Sequence, residues 1–174
     1  MKQLLSIALL TAISFTTITA CAQQDKSKRP SPPATASATI ASGAAISIDY
    51  SQPSVKGRTI GKDLEPMKGQ VWRTGANEAT VFATDKDVQV NGKVLPAGKY
   101  ALFSIWNGDT WTIIFNKTAN QWGAFKYKQE DDALRIDVPN TAPSAAAEKM
   151  TFAIDKSGKV TLAWGNVGFS FNVK

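Results

Sequence analysis

Seven consecutive residues, Trp72-Arg73-Thr74-Gly75-Ala76-Asn77-Glu78, set a large aromatic, a guanidinium, an amide and a carboxylate around one glycine. Arg73 offers a planar fork of donors that fits a carboxylate, a phosphate or sugar hydroxyls. Asn77 both donates and accepts, and an ionised Glu78 only accepts. A tight turn at Gly75 would gather these groups at one end of a sheet. The opposing expectation is a self-contained turn, in which Arg73 and Glu78 pair with each other and Asn77 bonds the turn backbone.

A second polar cluster, Asn116-Lys117-Thr118-Ala119-Asn120-Gln121-Trp122-Gly123, closes on an aromatic beside a glycine. A loop tryptophan of this kind stacks on a sugar ring or caps the open end of a β core. A third polar entry, Tyr50-Ser51-Gln52-Pro53-Ser54, leads into the basic loop Lys56-Gly57-Arg58. The candidate ligand-binding set is therefore Trp72, Arg73, Asn77, Glu78 and Trp122, with no residue assigned a catalytic role. A hydrolytic role for Glu78 would need a second carboxylate, Asp49 or Asp63, at about 5–9.5 Å.

The chain holds no histidine and one cysteine, Cys21. Ser-His-Asp triads, Cys-His pairs and His-ligated metals are therefore excluded. A metal would have to use oxygen ligands, and no pattern calls for a metal or a cofactor. An internal disulfide is impossible, so the fold must hold through its core. The formal net charge is +6, but from residue 44 onward 16 basic residues face 13 acidic ones, without a basic run. Nothing here points to nucleic acid.

The elements that must position these groups are strands. Apolar residues recur with period two in Ile46-Ile48-Tyr50, Phe103-Ile105, Trp111-Ile113-Phe115, Leu134-Ile136-Val138, Met150-Phe152-Ile154, Val160-Leu162-Trp164 and Val167-Phe169-Phe171-Val173. Asn91-Gly92 between two valine-rich runs is a hairpin signal, and Asn107-Gly108 and Ser157-Gly158 resemble it. No stretch sustains a helical period. Residues 130–133 and 144–149 have room for short helical turns at most. The expectation is an all-β domain over residues 44–174: an antiparallel β-sandwich of about nine or ten strands, a jelly roll being one way to arrange them, with an ordered C-terminus.

Residues 1–20 carry a charged start, an apolar stretch and a small-residue end, the parts of a signal peptide. Ile18-Thr19-Ala20-Cys21 resembles the lipobox of bacterial lipoproteins, which implies cleavage before Cys21 and acylation of its thiol. An ordinary leader cut at Ala20 or Ala22 is the alternative. Residues 21–43, rich in Ala, Ser, Thr and Pro, are expected to be the lipidated cysteine and a disordered tether. The expected address is the cell envelope, with the bilayer as a partner through Cys21. Ala22 in place of Asp favours the outer membrane by general lipoprotein sorting logic.

Tyr50-Ser51-Gln52-Pro53-Ser54-Val55-Lys56-Gly57-Arg58, Val71-Trp72-Arg73-Thr74-Gly75-Ala76-Asn77-Glu78-Ala79-Thr80, Leu95-Pro96-Ala97-Gly98-Lys99-Tyr100-Ala101-Leu102-Phe103, Trp111-Thr112-Ile113-Ile114-Phe115-Asn116-Lys117 and Gln121-Trp122-Gly123-Ala124 resemble the DUF2911 family. The likeness spans about residues 46–174. That family is of unknown function, and the resemblance implies an exported protein without supplying an activity or functional residues. The leading functional expectation is a non-catalytic binding module for a small polar or carbohydrate-like ligand. An assembly lipoprotein contacting another envelope protein and a carboxylate-dependent hydrolase are the alternatives.

Overall fold

Alternation becomes sheet because each period-two run buries one face and leaves the other to water. In the computed structural model, which describes residues 25–174, twelve strands follow. They are β1 (Pro33–Thr39), β2 (Ala45–Ser51), β3 (Val71–Trp72), β4 (Thr80–Thr84), β5 (Val88–Val90), β6 (Lys93–Leu95), β7 (Gly98–Trp106), β8 (Thr110–Asn116), β9 (Asp132–Pro139), β10 (Ala147–Ile154), β11 (Lys159–Gly165) and β12 (Val167–Asn172). A seven-stranded antiparallel sheet runs β1-β2-β4-β7-β8-β9, with β3 also paired to β7. A three-stranded sheet runs β10-β11-β12, and β5-β6 forms a separate hairpin.

The three-stranded sheet covers one face of the large one, with β10 beside β1 and β12 beside β9. Aromatic pairs stitch the layers together: Tyr50 to Phe152 at 5.1 Å, Trp111 to Phe169 at 5.3 Å and Phe115 to Phe171 at 5.8 Å between ring centroids, all near edge-to-face. All-β, antiparallel and sandwich-like therefore describe the fold. Strand order is not strictly sequential: β4 lies between β2 and β7, and the chain crosses from β9 at one edge of the large sheet to β10 beside β1 at the other. The count exceeds nine or ten because β3, β5 and β6 are only two or three residues long and because β1 lies where a tether was expected.

That tether needs correcting. Residues 26–28 form a 3-10 turn and Pro33–Thr39 pairs antiparallel with β2 along its full length, from Pro33 opposite Ser51 to Thr39 opposite Ala45. Ala34, Ala36 and Ala38 turn inward, and Ile40, at 3% exposure, plugs the core at the end of the strand. Alanines bury little area each, so composition alone gave no sign that seven ladder positions and one isoleucine together suffice. The signal peptide, Cys21 and its lipidation lie outside the described residues.

Asn91 and Gly92 both adopt positive φ (46° and 82°) in the β5-β6 turn, as a two-residue hairpin requires. The chain end is ordered: Gln89 and Lys174 exchange backbone hydrogen bonds at 2.8 and 3.0 Å. Of the two stretches given room for helical turns, Gln129–Asp131 forms a 3-10 turn and the second runs into β10.

Candidate functional site

β3 and β4 lie along the same edge of β7, at Trp72 opposite Ser104 and Thr80 opposite Leu102. The chain between them, residues 73–79, is an excursion out of one continuous pairing, closed by a hydrogen bond from Thr80 N to Arg73 O at 3.1 Å. Its interior is pinned at several points. Trp72 Nε1 donates to Gly75 O (3.0 Å), Thr80 Oγ1 donates to Thr74 O (2.8 Å), and Thr74 and Ser104 hydroxyls meet at 2.9 Å. A Cβ on Gly75 would sit 2.9 Å from Thr80 Oγ1 and 3.3 Å from Ser51 O, so glycine is needed there for close approach. Thr74 and Asn77 take positive φ (51° and 58°) to make the bends.

The excursion sends its polar groups in different directions. Glu78 and Asn77 turn toward the N-terminal segment. Arg29 Nη1 and Lys26 Nζ hold the Glu78 carboxylate at 2.9 and 3.0 Å, and Asn77 Nδ2 donates to Ser31 O at 3.1 Å. Burial alone would raise the Glu78 pKa, but the hydrogen bonds from Lys26 and Arg29 outweigh it and bring the group down to about 2. Glu78 is therefore a fixed carboxylate at neutral pH and no proton donor. The expected Arg73–Glu78 pair does not form, because cations far away in sequence take its place.

Trp122 does join Glu78. The two residues form an antiparallel bridge, with Ala79 N donating to Gln121 O and Gly123 N to Asn77 O. The indole is 57% exposed and walls a concavity of about 300 Å³ with Glu78, Ala79, Val81 and Asn120. The polar cluster before it is mostly structural: Asn116 Nδ2 donates to Lys128 O and Asp132 Oδ1, and Asn116 Oδ1 accepts from Thr118 N. Tyr127 donates to Asp132 at 2.8 Å and packs edge-on against Phe103, which lays this loop over the second face of β7 and β8.

Trp72 serves mainly as a core residue. At 2% exposure it packs against Trp111 inside the sandwich. Arg73 is half-buried on the other side of the excursion, in a concavity of about 270 Å³ lined by Glu65, Val71, Trp72, Ala124 and Phe125. Its buried Nε has no hydrogen-bond partner among the described residues. Burial lowers the Arg73 pKa and the Glu65 carboxylate offsets part of that; a guanidinium stays charged in proteins. Phe125, 85% exposed, stands at the rim with its ring edge over Gly123.

The five candidates thus divide three ways: Trp72 into the core, Arg73 into one concavity, and Asn77, Glu78 and Trp122 into another locality. Of the proposed second carboxylates, Asp49 shares a 300 Å³ concavity with Glu78, Lys26 and Arg29, while Asp63 caps the backbone N of Thr59. Gln52 and Arg58 bond backbone carbonyls of Met150, Ser54 and Val55. Sequence marks Lys26 and Arg29 only as cations of a solvated tether, and it does not mark Phe125 or Glu65 at all. An aromatic three residues after Trp122 was the one local hint; the others come from contacts distant along the chain.

The family model described as "Protein of unknown function (DUF2911)" matches residues 31–173. No curated protein and no solved structure matches the chain.

Proposed function

The chain belongs to the DUF2911 family, and we propose that it is an exported, lipid-anchored envelope protein whose domain is a non-catalytic binding module for a small polar ligand. The observation that carries this reading is Arg73. Its charge is half-buried, its Nε is unpartnered, and it opens on a concavity rimmed by an exposed aromatic ring. The guanidinium makes no side-chain hydrogen bond to another described residue, and an acceptor bound in the concavity would supply one. A carboxylate or vicinal hydroxyls on Arg73, with an apolar or sugar face against Phe125, is the chemistry that fits. Glu65 beside the guanidinium disfavours a strongly anionic ligand and favours a neutral or zwitterionic one.

Catalysis is not part of the proposal. Glu78 is locked as an ion-paired carboxylate, and the arrangement around Arg73 includes no nucleophile and base within reach of each other. The address rests on the lipobox-like Ile18-Thr19-Ala20-Cys21. Calorimetry of the acylated protein against a panel of sugars, sugar acids and amino acids is the test. Binding lost in both Arg73→Ala and Phe125→Ala is the expected result. A binder insensitive to both substitutions, or a panel without any binder, overturns it.

A further inference from the structure

A lipid anchor at Cys21 was expected to sit at the end of a long spacer, and the structure removes the spacer. Asp25 is the start of the described chain, and the residues just after it are fastened to the domain: Lys26 and Arg29 on Glu78, Ser31 on Asn77. Only three residues, Ala22, Gln23 and Gln24, stand between Cys21 and Asp25. Even fully extended, four residue steps reach roughly 14 Å, at about 3.5 Å each. An acyl-bearing cysteine lies at the boundary between hydrocarbon and headgroups. Asp25, which leads directly into the turn clamped on Glu78, is therefore held within about that reach of the bilayer.

What the face around Glu78 presents suits such a neighbour. Trp122 is bridged to Glu78 and holds its indole 57% exposed. Lys28 is 82% exposed, with a single distant contact to Asp25 at 4.0 Å, and Lys117 is exposed in the same loop as Trp122. Indole rings partition to the headgroup layer, apolar body inward and N–H to the polar side, and lysines beside them meet anionic lipid.

We propose that the Trp122 loop inserts into the headgroup layer of the membrane that holds Cys21, so that the domain lies on the bilayer in one orientation with Lys28 and Lys117 over anionic lipid. This rests on the lipid-anchor part of the reading above and is independent of the Arg73 site. The orientation leaves the domain's attachment to membrane with two contacts, acyl chains and indole, on either side of the Glu78 clamp.

Full-length acylated protein in vesicles of phosphatidylethanolamine and phosphatidylglycerol, part of it brominated in the acyl chains, gives the test. Of the other four tryptophans, Trp72, Trp111 and Trp164 are buried and Trp106 is half-buried, so the docking is read as the fraction of bromolipid quenching that disappears in Trp122→Phe and survives in Trp106→Phe. Lys28→Glu should reduce that fraction. A nitroxide at Asn120→Cys, an exposed neighbour, should lose accessibility to a water-soluble nickel chelate on reconstitution. Mass spectrometry of the same preparation reports on Cys21. An acylated Cys21 with no Trp122-dependent quenching and an unchanged nitroxide overturns the docking alone. An unmodified Cys21 overturns the anchor and the docking together.

Discussion

Arg29 and Glu78, 49 positions apart, meet through one nitrogen: Arg29 Nη1 donates to both carboxylate oxygens, at 3.1 and 2.9 Å. The contact closes the N-terminal segment onto the excursion between β3 and β4. Arg29 keeps only 20% of its side chain exposed in doing so. An ion pair of this partial exposure contributes little to global stability, on the order of 1 kcal/mol or less, but it governs whether residues 25–31 stay on the domain.

Glu78→Gln is therefore expected to leave the thermal midpoint nearly unchanged and to raise tryptic cleavage after Lys26 and Lys28 several-fold. A thermal melt reads the first, and limited proteolysis followed by mass spectrometry reads the second. Cleavage at wild-type rates in the variant would mean that the pairing with β2, and not the carboxylate, holds the segment.

Acid should do the same work reversibly. The Glu78 pKa falls from 4.5 to about 2 on folding, so its contribution is complete above the unfolded value and is lost as pH falls through about 2. Tryptic sites cannot be followed there, but hydrogen exchange can. The hydrogen-bonded amides of Lys28 and Arg29 are expected to lose protection between pH 4 and pH 2 ahead of those in β7 and β8, and Glu78→Gln is expected to lack that step.

Removal of residues 25–43 gives a larger effect. Ile40 is 3% exposed, and Ala41 N donates to Lys156 O across the β10-β11 turn. Ile40→Ala alone should cost about 2–5 kcal/mol, read by urea denaturation. A chain starting at Ala44 loses the plug and leaves the edge of β2 unpaired, so it should aggregate. A soluble, equally stable truncated domain would restore the tether reading.

Sequence legibility follows the reach of each signal. The sandwich was legible because alternation is local: Trp111-Ile113-Phe115 and Phe169-Phe171 state their buried face within a few residues. β1 was not, because Ala34, Ala36 and Ala38 alternate just as strictly but carry too little hydrophobic area to stand out from Ala-Ser-Thr composition. The site was half legible. Arg73, Asn77, Glu78 and Trp122 do lie at one sheet end, yet adjacency in sequence hid their divergence. What turns Arg73 one way and Glu78 another is fixed by Ser31, Ser51 and Gln121, and no window around Gly75 contains them.

Trp72 separates packing from recognition. Its indole is enclosed against Trp111, with Nε1 spent on Gly75 O. Trp72→Ala should destabilise by about 3–5 kcal/mol in chemical denaturation. Trp72→Phe keeps an aromatic ring in the core and should cost less, with its midpoint between those of wild type and Trp72→Ala.

Arg73 makes the opposite case, and its two substitutions distinguish a ligand group from a structural one. If the guanidinium serves the fold, both Arg73→Ala and Arg73→Lys should lower stability, the first more. The geometry argues against that: Arg73 shows no side-chain hydrogen bond to another described residue, its Nε is buried and unpaired, and the Glu65 carboxylate takes its own contact from Met67 N at 3.1 Å. Removing a buried unpaired donor relieves a desolvation cost, so Arg73→Ala is expected to be neutral or stabilising, by up to about 1 kcal/mol. Arg73→Lys keeps the charge but not the fork. For a ligand that takes two parallel hydrogen bonds, lysine should lose roughly 10- to 100-fold in affinity, the equivalent of one charge-assisted bond of about 1.5–3 kcal/mol. Denaturation curves and calorimetry on the same three proteins give the answer. Stability that falls in step with affinity would assign Arg73 to the fold; affinity lost at unchanged or raised stability assigns it to the ligand.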